Sequence, residues 1–156
     1  MIILGIDPGS RAMGYGVISA VSSKLVPIEY GVIKLNPKDE LPVRLCGIYD
    51  GIKEIIQKYK PDLISIETPF FGKNAHSSFV LGHARGAVML AVGQSGAKFG
   101  EYAPTEIKKA VVGNGLAEKS QVEYMVRAIL GLPIDKIKDD AFDALAAAIC
   151  GWNHCK

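Results

Sequence analysis

The sequence predicts one α/β domain, with a five-stranded mixed sheet and helices packed on both faces. Three β-rich segments lie near the start of the chain, and two further apolar segments are each reached through a helical pattern. The chain has 156 residues, a usual length for one domain with one core. We therefore expect residues 1–156 to fold as a single domain.

The first three strands are predicted at residues 2–6, 14–18 and 30–33, where turn-forming residues separate the β-rich runs. We expect them to form an antiparallel meander. From Pro42 the apolar period changes to three or four residues, which predicts a helix that Pro61 stops. The apolar stripe of this helix consists of Leu45, Ile48, Ile52, Ile55 and Tyr59.

The second half of the chain alternates between strands and helices. Residues 63–66 and 97–103 are predicted strands, and residues 77–91 between them form a helix rich in Gly and Ala. Because crossovers between parallel strands are right-handed, these two strands are expected to lie parallel to the first. Further helices are predicted near residues 104–112, 118–130 and 139–152.

Composition indicates an ordinary folded chain and gives an expectation for its compartment. Hydrophobic residues make up 49% of the chain and charged residues 22%, which excludes a disordered protein. The first seven residues do not resemble a signal peptide, and no apolar stretch is long enough to span a bilayer. The three cysteines have no disulfide or zinc-site spacing, so we expect a cytoplasmic protein.

Two acids end predicted strands. Asp7 follows the first strand and Glu67 follows the fourth. Ligands of open α/β sheets bind beyond the carboxyl ends of the parallel strands, so both acids lie where a site is expected. If the two strands are neighbours, the carboxylates can share one cation. Either acid alone would be more typical of a turn or a helix cap.

A third group of acids opens the last predicted helix. Asp140 and Asp143 are three residues apart and share a face, and Asp139 could equally share the face of Asp143. Such acids also stabilise a helix dipole, which is the alternative interpretation. With Asp7 and Glu67 they form an all-carboxylate set. Such a set favours Mg²⁺ or Mn²⁺ over Zn²⁺ and predicts phosphodiester hydrolysis by two metal ions.

Basic residues concentrate in the second half of the chain, although the net charge is only +2. They include Lys108, Lys109 and Lys119. A basic sector beside an acidic centre suits a metal enzyme that acts on a polyanion. Solvated lysines on helices would explain the lysine content about equally well.

Five segments carry specific motifs. They are residues 5–11 with Gly14-Tyr15-Gly16, Ile66-Glu67 with Phe70 and Lys73-Asn74, residues 81–86, residues 111–122, and residues 140–146. In this order they resemble the RuvC family of Holliday-junction resolvases over nearly the whole chain. The resemblance implies a ribonuclease H-like fold. It also implies a nuclease that resolves junctions in recombination and repair, leaving 5′-phosphate and 3′-hydroxyl ends.

The resemblance further implies which acids bind metal. Asp7, Glu67, Asp140 and Asp143 match the family's catalytic tetrad, which would hold two Mg²⁺ ions, with Mn²⁺ as a substitute. The family pattern of an acid, two residues and an acid before Ala-Leu selects Asp140 over Asp139. His83 stands where the family often has Gln, and we assign it no role.

Three residues are expected to contact DNA. The resemblance assigns Phe70 to a wedge in the junction, where an exposed ring could stack on an unpaired base. Without the resemblance, an aromatic residue in this loop would more often be buried. Lys108 and Lys119 match basic family positions that face the scissile phosphate. There they would position the DNA backbone without reading its sequence.

The resemblance also implies partners. A four-way junction has near two-fold symmetry and needs two cuts, so a homodimer is the expected assembly. Its interface is expected around the small-residue helix that contains Gly82 and Gly86. A branch-migration complex of the RuvA-RuvB type is the further expected partner.

Other interpretations of the same residues are possible. An actin-like ATPase or sugar kinase also opens with a strand ending in Asp-x-Gly, but it needs two such halves. A DNA-structure-binding protein would use the acids only as helix caps. The smaller YqgF-like nucleases share the opening motif but should lack the resemblance at residues 108–122. Residues 113–120 are close to a P-loop, but Glu118 stands where that motif requires Gly.

Overall fold

The structure is a computed structural model that describes residues 1–68, 72–133 and 137–155. The strands are β1 (Ile2–Asp7), β2 (Ala12–Val21), β3 (Lys24–Lys34), β4 (Leu63–Glu67) and β5 (Lys98–Tyr102). The helices are α1 (Leu41–Tyr59), α2 (Ala75–Ser95), α3 (Pro104–Val112), α4 (Lys119–Leu130) and α5 (Asp139–His154). Each predicted element is present and has the predicted type. In this described part of the chain, no helix has the length and apolarity needed to cross a membrane.

The strands form one mixed sheet in the order β3-β2-β1-β4-β5. The pairs β1–β2 and β2–β3 are antiparallel, whereas β1–β4 and β4–β5 are parallel. The predicted arrangement of three antiparallel and two parallel strands is therefore confirmed. Because β1 and β4 are direct neighbours, their carboxyl ends meet at one edge of the sheet.

The predicted bounds of β2 and β3 are too short. Both strands extend well beyond residues 14–18 and 30–33 and pair along their whole length. In β3 a bulge contributes to the error, because Val17 pairs with Glu29 whereas Ile18 pairs with Pro27, which leaves Ile28 as an extra residue. The extra residue interrupts the period-two alternation on which the prediction depends.

The sheet separates two apolar layers. On one face, α1 and α2 bury aliphatic side chains against β1, β2 and β4, including Ile48, Ile52 and Val88. On the other face, α5 lies across β1, β2 and β4, with α3 and α4 packed outside it. The helices on both faces that the sequence predicts are thus present.

Glycines allow α5 to approach the sheet closely. A Cβ atom on Gly5 of β1 would lie 1.9 Å from the carbonyl oxygen of Ala144, and one on Gly14 of β2 would lie 1.9 Å from that of Asp140. Both distances are far below van der Waals contact, so only glycine fits at these two positions. The contacts fix the height of α5 above the strands, and with it the height of the acids in its first turns.

Candidate active site

Two of the predicted acids end adjacent parallel strands. Ile6 of β1 pairs with Ile66 of β4, so Asp7 and Glu67 follow matched positions at the same edge of the sheet. Both side chains are half-buried. The strands point their carboxyl ends at one region, as the sequence predicts, because the crossover through α1 makes β1 and β4 parallel neighbours.

The first turns of α5 bring the remaining acids to this edge. Asp7 pairs with Gly14 across β1 and β2, and the backbone of Asp140 lies directly over Gly14. Asp140 is therefore held above the strand residue that faces Asp7. Asp143 lies one turn further along α5 and is half-buried.

The electrostatics of the site are those of crowded carboxylates. Burial, followed by the charges of Glu67, Asp143 and Asp140, raises the pKa of Asp7 to about 8. Burial and the charge of Asp143 raise the pKa of Glu67 to about 7, and Lys119 and Lys108 oppose this rise. The pKa of Asp143 is also raised, because burial outweighs the opposing effect of the Lys119 charge. Each shift disfavours the ionised carboxylate, so a cation at this site would be strongly stabilising.

Two lysines face the acids. The Nζ atom of Lys119 donates a hydrogen bond to Oδ2 of Asp143 at 3.2 Å and lies 3.5 Å from Oδ2 of Asp139. Lys108 and Lys119 also line a cavity of about 170 Å³ together with Glu67 and Asp143. The cavity thus joins two acids of the site to two cationic groups that could hold an anionic substrate.

The donor set fits a hard divalent cation. Asp7, Glu67, Asp140 and Asp143 provide only oxygen ligands, which is the set that Mg²⁺ and Mn²⁺ prefer. Within the described ranges, no three His, Cys, Asp or Glu side chains are already arranged to hold a metal ion. Uncompensated carboxylates repel one another, and Lys119 neutralises Asp143 instead. A metal ion bound by Asp143 would therefore compete with Lys119 for this carboxylate.

Comparison with known proteins identifies the family. The sequence profile of the family "Crossover junction endodeoxyribonuclease RuvC" matches residues 3–151, nearly the whole chain. The chain belongs to the RuvC family. The RuvC of Desulforamulus reducens is 45% identical over 150 residues, covering 96% of this chain and 92% of the relative. The RuvC of Shewanella sediminis is 49% identical over 152 residues, covering 97% and 87%.

A solved RuvC structure agrees with this assignment. The structure of Thermus thermophilus RuvC in complex with a Holliday junction substrate superposes with a TM-score of 0.93 at 31% identity, covering 99% of this chain and 94% of that chain. The resemblance to RuvC and the ribonuclease H-like fold that it implies are both confirmed. Membership of the RuvC family favours a crossover junction endonuclease over the actin-like ATPase and the YqgF-like nuclease.

The two candidate acids at the start of α5 differ in this RuvC-family chain. Asp140 is one of the charges that raise the pKa of Asp7, whereas Asp139 is not. The side chain of Asp139 is 75% exposed and faces Lys119. Asp140 is therefore the nearer of the two to the strand acids, and Asp139 lies on the outer side of the site.

The structure describes His83 but not Phe70. The ring of His83 contacts Phe79 at a centroid distance of 4.3 Å, and its Nδ1 atom lies 2.8 Å from the Phe79 carbonyl oxygen. This is a packed helical histidine, as expected of a residue without an assigned role. Phe70 lies outside the described residues, so its wedge role stays a prediction.

Two features of the RuvC-family site are not predicted from the sequence. The first is the role of Gly5 and Gly14, whose close contacts with α5 hold the helix acids in place. The second is the pairing of Lys119 with both Asp139 and Asp143. The four-residue spacing of these two acids was the available signal, since it places both carboxylates on one helix face.

Proposed function

We propose that this RuvC-family chain is a Mg²⁺-dependent endonuclease that resolves Holliday junctions in homologous recombination and DNA repair. The observation that carries the proposal is the convergence of Asp7, Glu67 and Asp143 at the carboxyl ends of two parallel strands, beside Lys119. Its relatives are named crossover junction endodeoxyribonucleases, and the related T. thermophilus structure contains a Holliday junction.

The four acids would hold the metal. Asp7, Glu67, Asp140 and Asp143 are the proposed ligands of two Mg²⁺ ions, for which Mn²⁺ could substitute. When bound, the ions would align the attacking water and the leaving oxygen of the phosphodiester, giving 5′-phosphate and 3′-hydroxyl ends. Because the pKa of Asp7 is raised to about 8, most of the Asp7 population is protonated at neutral pH. We therefore expect metal binding to release protons from the protein.

The two lysines would hold the DNA backbone. Lys108 and Lys119 border the same small cavity as Glu67 and Asp143. Their cationic heads would position the scissile strand by charge alone, without selecting its sequence. Phe70 is proposed to wedge into the junction centre on the family resemblance only.

We also propose that the active form is a homodimer. Phe79 and Leu90 of α2 are 65% and 57% exposed, and Gly82 and Gly86 lie between them on the same side of the helix. With α1, this stripe lines an apolar groove of about 860 Å³. A second copy of α2 packed here would bury the exposed ring and give two active sites related by a two-fold axis.

The partners and compartment rest on family membership. A branch-migration complex of the RuvA-RuvB type is proposed to deliver the junction, and a cytoplasmic location would give access to chromosomal DNA in a bacterial cell. Co-purification of the chain with such a complex on junction DNA would test the first point.

The decisive test of the activity uses a synthetic four-way junction with one strand labelled at its 5′ end. Incubation with Mg²⁺ should give paired nicks near the junction centre, and the products should be sealed by DNA ligase, which needs 5′-phosphate and 3′-hydroxyl ends. EDTA should abolish cleavage. A linear duplex of the same arm sequence is the matched substrate control. Equal nicking of duplex and junction would contradict structure-specific activity.

The same assay separates the nuclease from a junction-binding protein without activity. Such a binder should bind in EDTA and leave every strand intact with Mg²⁺, at all enzyme concentrations. An actin-like ATPase is tested separately, because it should be stabilised by ATP in a thermal melt. We expect no ATP-dependent shift.

Substituting the adjacent acids of α5 tests the ligand assignment. Asp140→Asn should lose most junction cleavage, because this carboxylate lies close enough to Asp7 to affect its pKa. Asp139→Asn should keep most of the activity, because its side chain faces outwards to Lys119. The variants differ by one position and remove the same charge, so each is the control for the other. The opposite order of activities would show that the assignment is wrong.

A further inference from the structure

Lys119 stands between two carboxylates of different character. Its Nζ atom is 3.2 Å from Asp143, whose side chain is 32% exposed, and 3.5 Å from Asp139, whose side chain is 75% exposed. Asp143 belongs to the proposed metal site and Asp139 does not. The ammonium group is thus shared between one inner and one outer acid.

The inner contact conflicts with metal binding. An ammonium group at hydrogen-bond distance from Asp143 neutralises the charge that a divalent cation would use, and it repels that cation. Lys119 must therefore withdraw from Asp143 when a metal ion binds. Its side chain is 57% exposed and is long and flexible, so it can move without disturbing the core.

The outer acid offers a place for the displaced charge. Asp139 lies one helical turn before Asp143 on the same face of α5, and Lys119 contacts both acids. A small rotation of the lysine side chain can therefore break the contact with Asp143 and keep the contact with Asp139. Without Asp139, Lys119 would lose its ion-pair partner outside the proposed metal site.

We propose that Asp139 is a positioning residue that holds Lys119 when the lysine withdraws from Asp143. This contact favours metal binding, and it keeps the lysine beside the DNA-facing side of the site. This inference rests on the proposed metal-dependent function. It assigns a role to an acid that the family pattern of the tetrad leaves out. Asp139 acts through Lys119 and is not itself a metal ligand.

A direct charge effect must be distinguished from this role. Removing any acid near the site weakens the attraction for Mg²⁺ to some extent, whether or not Lys119 is present. The proposed role instead requires Lys119. The effect of Asp139→Asn on Mg²⁺ affinity should therefore be larger with Lys119 in place than in a Lys119→Ala background, which is the logic of a double-mutant cycle.

The experiment measures Mg²⁺ binding to the DNA-free protein by calorimetry and by thermal stabilisation at constant ionic strength. Four proteins are compared: the unsubstituted chain, Asp139→Asn, Lys119→Ala and the double variant. Lys119→Ala alone should tighten Mg²⁺ binding, because a competing cation is removed. Asp139→Asn should weaken Mg²⁺ binding about twofold to fivefold more with Lys119 present than without it, the range expected from exposed ion pairs.

Two further variants serve as controls. Asp139→Glu should have the Mg²⁺ affinity of the unsubstituted chain, because it keeps a carboxylate within reach of the same lysine. Asp50→Asn removes an exposed acid from α1 on the opposite face of the sheet, and it should change Mg²⁺ affinity little.

The outcomes distinguish the inference from the proposed function. If Asp139→Asn weakens Mg²⁺ binding equally in both backgrounds, the positioning role is wrong while the metal site stands. If Asp139→Asn leaves the Mg²⁺ affinity unchanged, the positioning role is likewise wrong and the metal site stands. If the unsubstituted chain does not bind Mg²⁺ by either measurement, both the metal-dependent function and the inference fail.

Discussion

The two faces of the sheet use small residues for opposite purposes. On the α5 face, Gly5 and Gly14 remove every obstacle between strand and helix, and backbone meets backbone with no room for a methyl group. On the α2 face, a Cβ on Gly82 or Gly86 would meet no described atom within 4 Å. The first pair serves internal packing, whereas the second pair leaves a surface open.

This difference explains what each face does. A helix that is fixed against the sheet can hold Asp140 and Asp143 at a constant height beside Asp7, as a metal site requires. A helix with an open apolar stripe, bordered by the exposed Phe79, can accept another molecule. Catalysis is thus proposed for the tightly packed side and assembly for the open side.

The largest expected effect concerns the acids that the tight face positions. Asp7→Asn removes one ligand of the proposed metal site but leaves the basic residues in place. Cleavage should fall by about a thousandfold or more, since metal catalysis contributes several kcal/mol. Junction binding in EDTA should be retained in a gel-shift assay. Near-normal cleavage would refute the proposed ligand set.

Matched glycine substitutions test the contrast between the faces directly. Gly5→Ala places a methyl group against the backbone of α5 and should destabilise the protein by about 3 kcal/mol. Gly86→Ala meets open space within a helix and should stabilise the monomer by roughly 0.5–1 kcal/mol. Urea unfolding of both variants measures the difference. Similar effects of the two substitutions would remove the distinction between the faces.

A charge on the open face should break the proposed dimer and leave the fold intact. Phe79→Glu should weaken self-association by about 2 kcal/mol, because it places a charge in the centre of an apolar contact. Sedimentation measures the association, and paired cleavage should become single nicking. Val21→Glu is the control, since Val21 is 62% exposed but lies at the far end of β2. An unchanged dimer would place the interface elsewhere.

The raised pKa values of the site acids also predict a pH dependence of stability. Asp7 and Glu67 have pKa values of about 8 and about 7 in the folded chain, above their ordinary values of 3.8 and 4.5. Between about pH 4 and pH 8, the folded state therefore binds more protons than the unfolded state. Without metal, the contribution of these two carboxyl groups to stability should be greatest below about pH 4 and fall as the pH rises towards 8.

Thermal melts in EDTA across this range measure the trend. Asp7→Asn should flatten it, because one of the three carboxylates with raised pKa is gone. Mg²⁺ should restore stability at the alkaline end in the unsubstituted chain. Stability that rises steadily with pH in EDTA would contradict the raised pKa values.

Much of this protein follows from local patterns in its sequence. Period-two and period-3.6 apolar patterns predict all five strands and helices in order, because the burial of one face imposes these periods. Asp7 and Glu67 are predicted at strand ends because apolar runs stop there. The motif from residue 140 to residue 146 selects Asp140 over Asp139 only through family resemblance, since helical spacing permits both.

The tertiary structure decided the features that depend on contacts between segments far apart in the sequence. The strands β2 and β3 extend beyond their predicted bounds because they pair along their whole length, and in β3 this pairing continues past the bulge at Ile28. The roles of Gly5 and Gly14 depend on a helix more than 120 residues away along the chain. The sharing of Lys119 between Asp139 and Asp143 depends on α4 meeting α5. Sequence thus determined the elements and most of the acids, while the distances between their side chains were set by packing across the sheet.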